Sequence, residues 1–247
     1  MAYSTIKDPS AHFQTALYAG NNTTDHNITN DGNSDLQPDL VWIKQRTSDN
    51  PHVLQDTSRG FNGSGLAFNL QTNSTAVEGT NGAFESFNTN GFGVGGTNVA
   101  SGAYNLSGSN YVAWQWKANG GTTASNTDGD LTSTVQFNST AGFSIVTYTG
   151  KDPIESLQVG HGMGEAPDVI IIKNRSSARL WAVYHKDLTS PAANRYLQLN
   201  TSTYGELANS TLWGNVAPSS TIITTGENAA VNQPNENLVA YCWKERQ

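Results

Sequence analysis

The feature that most constrains this chain is that it is written twice. Phe13-Gln-Thr-Ala-Leu-Tyr-Ala-Gly20 recurs as Phe143-Ser-Ile-Val-Thr-Tyr-Thr-Gly150. Pro38-Asp-Leu-Val-Trp-Ile-Lys-Gln-Arg-Thr-Ser48 recurs as Pro167-Asp-Val-Ile-Ile-Ile-Lys-Asn-Arg-Ser-Ser177. Asn110-Tyr-Val-Ala-Trp-Gln-Trp-Lys117 recurs as Asn237-Leu-Val-Ala-Tyr-Cys-Trp-Lys244. Three blocks in one order and at nearly constant spacing point to an internal duplication. Each copy runs about 100 residues, the size of one small β-sandwich and too long for a solenoid or propeller unit. The expected organisation is an N-terminal arm (1–12), a first β-sandwich repeat (13–117), a linker (118–142) and a second repeat (143–247). The polar, Gly-rich start of the linker has no periodic apolar residues. A long loop within one continuous domain is the alternative.

Within each copy the apolar runs are short and rich in β-branched and aromatic residues. Leu40-Val-Trp-Ile43 and Val169-Ile-Ile-Ile172 suit central strands buried on both faces, with the Lys-x-Arg-x-Ser tails leaving for a turn. Further strands are expected at 52–54, 66–70, 91–94, 112–116, 180–184, 196–199, 221–224 and 239–243. Clusters of Asn, Gly, Asp and Pro separate them. No window forms an amphipathic helix, although 207–212 could make a helical turn. About two residues in five are Asn, Thr, Ser or Gly, which favour strands and turns over helix interiors. The fold class expected is all-β, as two tandem, homologous, jelly-roll-like β-sandwich units.

Val112, Trp114 and Trp116 alternate along one strand face, as do Val239, Tyr241 and Trp243. With Trp42 and Trp181, these aromatics are the expected structural core, each able to bury about 150–250 Å². A sugar-stacking platform is the alternative for such a row. The lone cysteine, Cys242, lies on the opposite face from Trp243 and reads as a small apolar residue, so no disulfide closes within the chain.

Chemistry leaves few marks. No phosphate loop, nucleophile elbow or zinc-protease helix motif occurs. Gly91-Phe-Gly-Val-Gly-Gly96 lacks the strand–helix context of a nucleotide loop. The five histidines have no nucleophile at a recognisable spacing, and His161, in a Gly-rich stretch, reads as a loop residue. Glu85, Glu155, Glu165 and Glu206 offer carboxylates, but no local pattern selects an acid–base pair. No catalytic residue is assigned, no enzyme activity is expected and no cofactor is required. The oxygen-rich stretch from Asp25 to Asp35 gives weak Ca²⁺ ligand candidates in Asp25, Asp31 and Asp35; hydrogen-bonded Asx turns explain it equally.

The net charge of −7, from 13 basic and 20 acidic side chains, argues against a nucleic-acid partner. No apolar run is long enough for a membrane span, and the first residues lack a signal peptide's apolar stretch. The expectation is folding in a reducing cytosol, and the many Asn-x-Ser/Thr triplets are not read as glycans.

The blocks 8–15, 28–44, 111–123, 141–150 and 239–244 resemble an uncharacterised tandem-repeat domain in virion structural and tail-fibre proteins of marine tailed phages. The resemblance covers nearly the whole chain and carries no defined active site. It implies a non-enzymatic structural protein of the virion, folded in the host cytoplasm before assembly. A tail-fibre or appendage component, or a capsid decoration, is expected. Other virion proteins would be its partners, with the arm 1–12 docking on one of them. A homo-oligomer follows from small cores and uncovered strand edges; threefold order is what the resemblance implies. Host-surface glycan contact is a further expectation, and a carbohydrate-binding adhesion module is the alternative function.

Overall fold

Alternating apolar and polar side chains, broken every few residues by Asn, Gly or Asp, leave the described residues no helix longer than one turn. The computed structural model describes residues 6–151, 155–202 and 205–246. Among them, helical residues are confined to two 3-10 turns, Pro9–Ala11 and Ala192–Asn194. The start of the expected N-terminal arm, 1–5, lies outside the described residues.

The first half forms β1 (Phe13–Ala19), β2 (His26–Thr29), β3 (Leu40–Gln45), β4 (Val53–Asp56), β5 (Ala67–Gln71), β6 (Gly79–Asn81), β7 (Phe84–Asn88), β8 (Gly91–Val94) and β9 (Asn110–Trp116). The second forms β10 (Ala124–Asn126), β11 (Ser133–Asn138), β12 (Phe143–Thr149), β13 (Leu157–Gly160), β14 (Val169–Asn174), β15 (Ala182–His185), β16 (Arg195–Gln198), β17 (Leu207–Ala208), β18 (Ile222–Thr225) and β19 (Asn237–Trp243). All named pairings are antiparallel, so the fold is all-β.

The first unit comprises Ile6–Thr72 and Glu78–Gly121. Its large sheet runs β1-β9-β3-β4-β5-β6, and its small sheet β2-β8-β7. Val41, Ile43, Val53, Tyr111 and Ala113 of the large sheet share one core with Ile28, Phe84, Phe92 and Val94 of the small one. The rings of Phe84 and Phe92 stack at 6.0 Å, and those of Tyr18 and Tyr111 at 4.9 Å. Burying a side chain of this size stabilises the fold by about 1.5–3 kcal/mol.

The second unit contains Thr122–Gln247 together with Asn73–Val77, the loop between β5 and β6. Its large sheet runs β10-β11-β12-β19-β14-β15-β16-β17, and β13-β18 form the small one. Val146, Ile170, Ile172, Leu238, Ala240 and Cys242 pack with Val159, Leu212, Trp213 and Ile223 in its core. Bonds that fasten the borrowed loop include Trp181 Nε1 donating to the Ser74 carbonyl at 3.1 Å and Lys173 Nζ to that of Thr75 at 3.2 Å.

The two units repeat one strand order. Counted from β1 in the first unit and from β12 in the second, the first, last and third strands lie side by side as β1-β9-β3 and as β12-β19-β14. The registers correspond: Phe13 faces Trp116 and Phe143 faces Trp243; Lys44 faces Val112 and Lys173 faces Val239. The second and penultimate strands form the small sheet in both units.

Several expectations change. The linker 118–142 contributes β10 and β11; its Val135 and Phe137 alternate in period two, and Val135 is buried. Residues 207–212 begin with strand β17 rather than a helical turn, because Leu207 pairs with Tyr196. The face of β9 turned to the sandwich core is the opposite one: Tyr111, Ala113 and Gln115 are fully buried, whereas Val112, Trp114 and Trp116 are half-buried. Small Ala113 leaves room for Phe84 and Phe92, and the Gln115 amide is satisfied by Asn30, donating to its Oδ1 at 2.5 Å. The tryptophans therefore form an outer row, with Trp42 edge-on to Trp114 at 6.0 Å and Phe13 against Trp116 at 5.0 Å. Trp181 and Tyr241 are fully buried, and Trp243 is half-buried against Phe143 at 5.2 Å.

Candidate functional site

The oxygen-rich stretch of the first unit divides around β2. Asp25 sits before the strand in a left-handed conformation, φ 55°, and its N–H donates to Glu85 Oε1 at 3.1 Å. Asp31 and Asp35 lie beyond the strand's far end. Four extended residues separate these ends by roughly 13 Å. Among the described residues no group of three His, Cys, Asp or Glu side chains could hold a metal ion. The expected Ca²⁺ set Asp25, Asp31 and Asp35 is therefore not assembled.

The loop around Asp31 and Asp35 is tied down by other groups. Gln14 Nε2 donates to the carbonyls of Ser10 and Ser34, at 2.9 and 2.8 Å, and Gly32 N–H donates to Gln14 Oε1 at 2.9 Å. Ser34 Oγ donates to Asp8 Oδ2 at 2.6 Å. The hydroxyls of Ser10 and Ser34 hold the Asp8 carboxyl below its ordinary value. The loop is thus a closed hydrogen-bonded turn.

Beside Asp25 opens a polar cleft of about 410 Å³. Asp25, Asn27, Glu85, Ser86, Ser64 and Thr97 line it, with Leu66 and Phe84 as its apolar part and no basic side chain. Asn88 Nδ2 braces Asn27 by donating to its Oδ1 at 2.8 Å. The glycine-rich run builds the adjoining wall. Gly91 and Gly95 have φ of 109° and 114°, and a Cβ there would stand 1.9 and 2.1 Å from the carbonyl oxygens of Ile28 and Thr23. Close strand packing, not phosphate binding, accounts for these glycines. Carboxylate and amide oxygens above an apolar patch can accept from and cover a hydroxyl-rich ligand.

The repeated aspartates are the polar residues that sequence reasoning missed. Asp39 is fully buried, and its carboxylate accepts from the N–H groups of Ala118, Gly120 and Gly121, at 2.7, 2.9 and 2.7 Å, and from Thr57 Oγ1 at 2.9 Å. Asp168 occupies the matching place. It accepts from Glu245 N–H at 2.8 Å and Lys244 Nζ at 3.0 Å. Burial alone would raise the Asp168 carboxyl; the Glu245 N–H and Lys244 outweigh it and hold it low. Each aspartate's own N–H also bonds the carbonyl of the last tryptophan, Trp116 or Trp243, both at 2.8 Å. The Pro-Asp pair just before a central strand, repeated in both copies, was the available signal.

The other candidate groups are fastened inside the fold. His161 lies in the loop directly after β13 and is fully buried there. Its Nδ1 accepts from Met163 N–H and its Nε2 donates to the Ser219 carbonyl, both at 3.2 Å, while burial pushes its pKa below the ordinary value. Lys173 is buried too; its ammonium donates to the carbonyls of Asn174, Thr75 and Ser177, at 2.7, 3.2 and 3.4 Å. Burial lowers its pKa to about 8, opposed by the charge of Glu236. Arg59 bridges Asp56 at 2.5 Å and Glu78 at 2.9 Å. Cys242 lies in the core, where burial pushes its thiol up.

No curated protein and no solved structure matches this chain. Over residues 8–247 it matches the model of a family described as a domain of unknown function, DUF7483, and it belongs to that family.

Proposed function

We propose that this protein is a non-enzymatic structural component of a phage virion, a tail-fibre or appendage protein or a capsid decoration, whose two halves arose by tandem duplication. The observation that carries this reading is what the halves have in common. Their shared side chains build and fasten a sheet: the paired Phe and Trp of β1–β9 and β12–β19, the capping aspartates Asp39 and Asp168, and the turn-binding lysines Lys44 and Lys173. The cleft at Asp25 and Glu85 has no counterpart among the repeated blocks. The virion assignment itself comes from the resemblance of those blocks to marine tailed-phage proteins. Other virion proteins are its partners, and it works as a homo-oligomer. Gold-labelled antibodies against the purified chain, applied to intact particles, test the assignment. Label at one fixed place on the particle is expected; a chain confined to the soluble lysate and absent from washed particles overturns it.

The cleft favours a second reading, a carbohydrate-binding adhesion module that would bring the particle to a host surface. Its acceptors suit sugar hydroxyls, and the partly exposed Leu66 suits a sugar's apolar face. Glycan-array binding that Glu85→Gln abolishes would support this function; an array without signal removes it.

A further inference from the structure

The two copies differ at one edge. In the first unit Gly20 N–H bonds the Ser109 carbonyl and Lys117 N–H bonds that of His12. With the register of β1 on β9, this places Gln14, Ala16 and Tyr18 in the hydrogen-bonded pairs. Phe13, Thr15, Leu17 and Ala19 therefore aim their N–H and C=O groups away from β9. In the second unit Gly150 N–H bonds the Glu236 carbonyl and Lys244 N–H that of Gly142, so Phe143, Ile145 and Thr147 point outward in the same way. There β11 pairs with them, setting Asn138, Gln136 and Thr134 opposite. Among the described residues no strand pairs with the outer edge of β1. One unit thus shows the edge occupied, and the other shows it bare.

The bare edge also lacks the usual protections. Its sequence, Phe-Gln-Thr-Ala-Leu-Tyr-Ala, holds no charge, proline or glycine, and it shows no bulge against β9. Leu17 is 67% exposed and Phe13 38%, and Phe13 continues into the outer tryptophan row.

We propose that β1 is a docking edge for a second copy of this chain, which lays its own β1 antiparallel against it. With Ala16 on the twofold axis, Thr15 faces Leu17 and Phe13 faces Ala19, so outward groups meet outward groups on both strands. An uncharged strand meets no like charge in its own copy, and a self-matching contact closes at two subunits. The two large sheets become one, with Phe13 and Leu17 of both copies covering each other. This pairing rests on the edge alone and stands against the threefold order that the resemblance implies.

The mass of the full chain in solution tests it, by light scattering during gel filtration at micromolar concentration. The wild type should run at twice 26.4 kDa. Thr15→Pro removes an outward donor, and Leu17→Lys places like charges diagonally across the twofold axis, on the same sheet face. Each should raise the dimer dissociation constant by about tenfold or more, at an unchanged unfolding midpoint. If Thr15→Pro does not fold, Leu17→Lys, a change at an exposed side chain, carries the test. A monomeric wild type, a trimer, or a dimer whose mass neither variant changes overturns the proposal.

Discussion

A buried carboxylate that gathers backbone N–H groups holds a turn by charge-assisted hydrogen bonds, and it holds that turn only while it is present. Asp39→Ala would leave the N–H groups of Ala118, Gly120 and Gly121 without their acceptor. We expect a loss of about 3–5 kcal/mol in urea unfolding. Asp168→Ala should cost less, about 1–3 kcal/mol, because its lysine partners are partly exposed and can turn to water. Equal losses at the two sites would contradict this ranking. His161 makes the fold sensitive to acid. Burial keeps its folded pKa below 6.5, so on acidification the unfolded chain takes up the proton first. Its contribution is complete above about pH 6.5 and falls away below it, toward the lower folded value. His12 and His52, also lowered by burial, act in the same direction. The thermal midpoint should drop between about pH 7 and pH 5, and His161→Gln should flatten that slope.

At the scale of strands, the repeated blocks were legible because their apolar runs recur in the same order at nearly constant spacing. Residues 91–94 and the centres of β3, β9, β14 and β19 fall where periodicity puts them. Alternation cannot say which face meets the small sheet, however. In β9 the two tryptophans lie outside because Phe84 and Phe92, from the facing small sheet, fill the inside beside Ala113. The strand β11 was hidden for a related reason. Its Ser, Thr, Gln and Asn match the polar composition of its surroundings, and a single Val-x-Phe alternation is a weak mark beside its pairing with β10 and β12. The Asp25 cleft was no more legible, since Glu85 reaches Asp25 across 60 positions of sequence. Burial now ranks the tryptophans. Trp181→Ala should cost about 3–5 kcal/mol. Trp114→Ala, on the half-buried outer row, should cost about half as much, and denaturant titration of both variants checks the order.

At the scale of the whole molecule, the boundary between units does not follow the boundary between copies. Residues 73–77 come from the first copy, yet they belong to the second unit, where Ser74 and Thr75 satisfy Trp181 and Lys173. A fragment spanning 122–247 would lack those acceptors around a fully buried ammonium and indole. It should unfold at lower temperature than the same unit in the intact chain, by several degrees. Adding a peptide of residues 70–80 should restore part of the difference. A fragment as stable as the whole would show that the loop contributes nothing.

That borrowed loop also bears on how such a chain can change over generations. A duplicated gene ordinarily gives each copy freedom to drift, be lost or be exchanged for another. Here a deletion in the hairpin between β5 and β6 would be felt beneath Trp181, more than a hundred positions downstream. Recombination that replaced the first copy would strip the second of its two acceptors. The halves are consequently expected to be inherited as a pair, with length changes tolerated in other hairpins before this one.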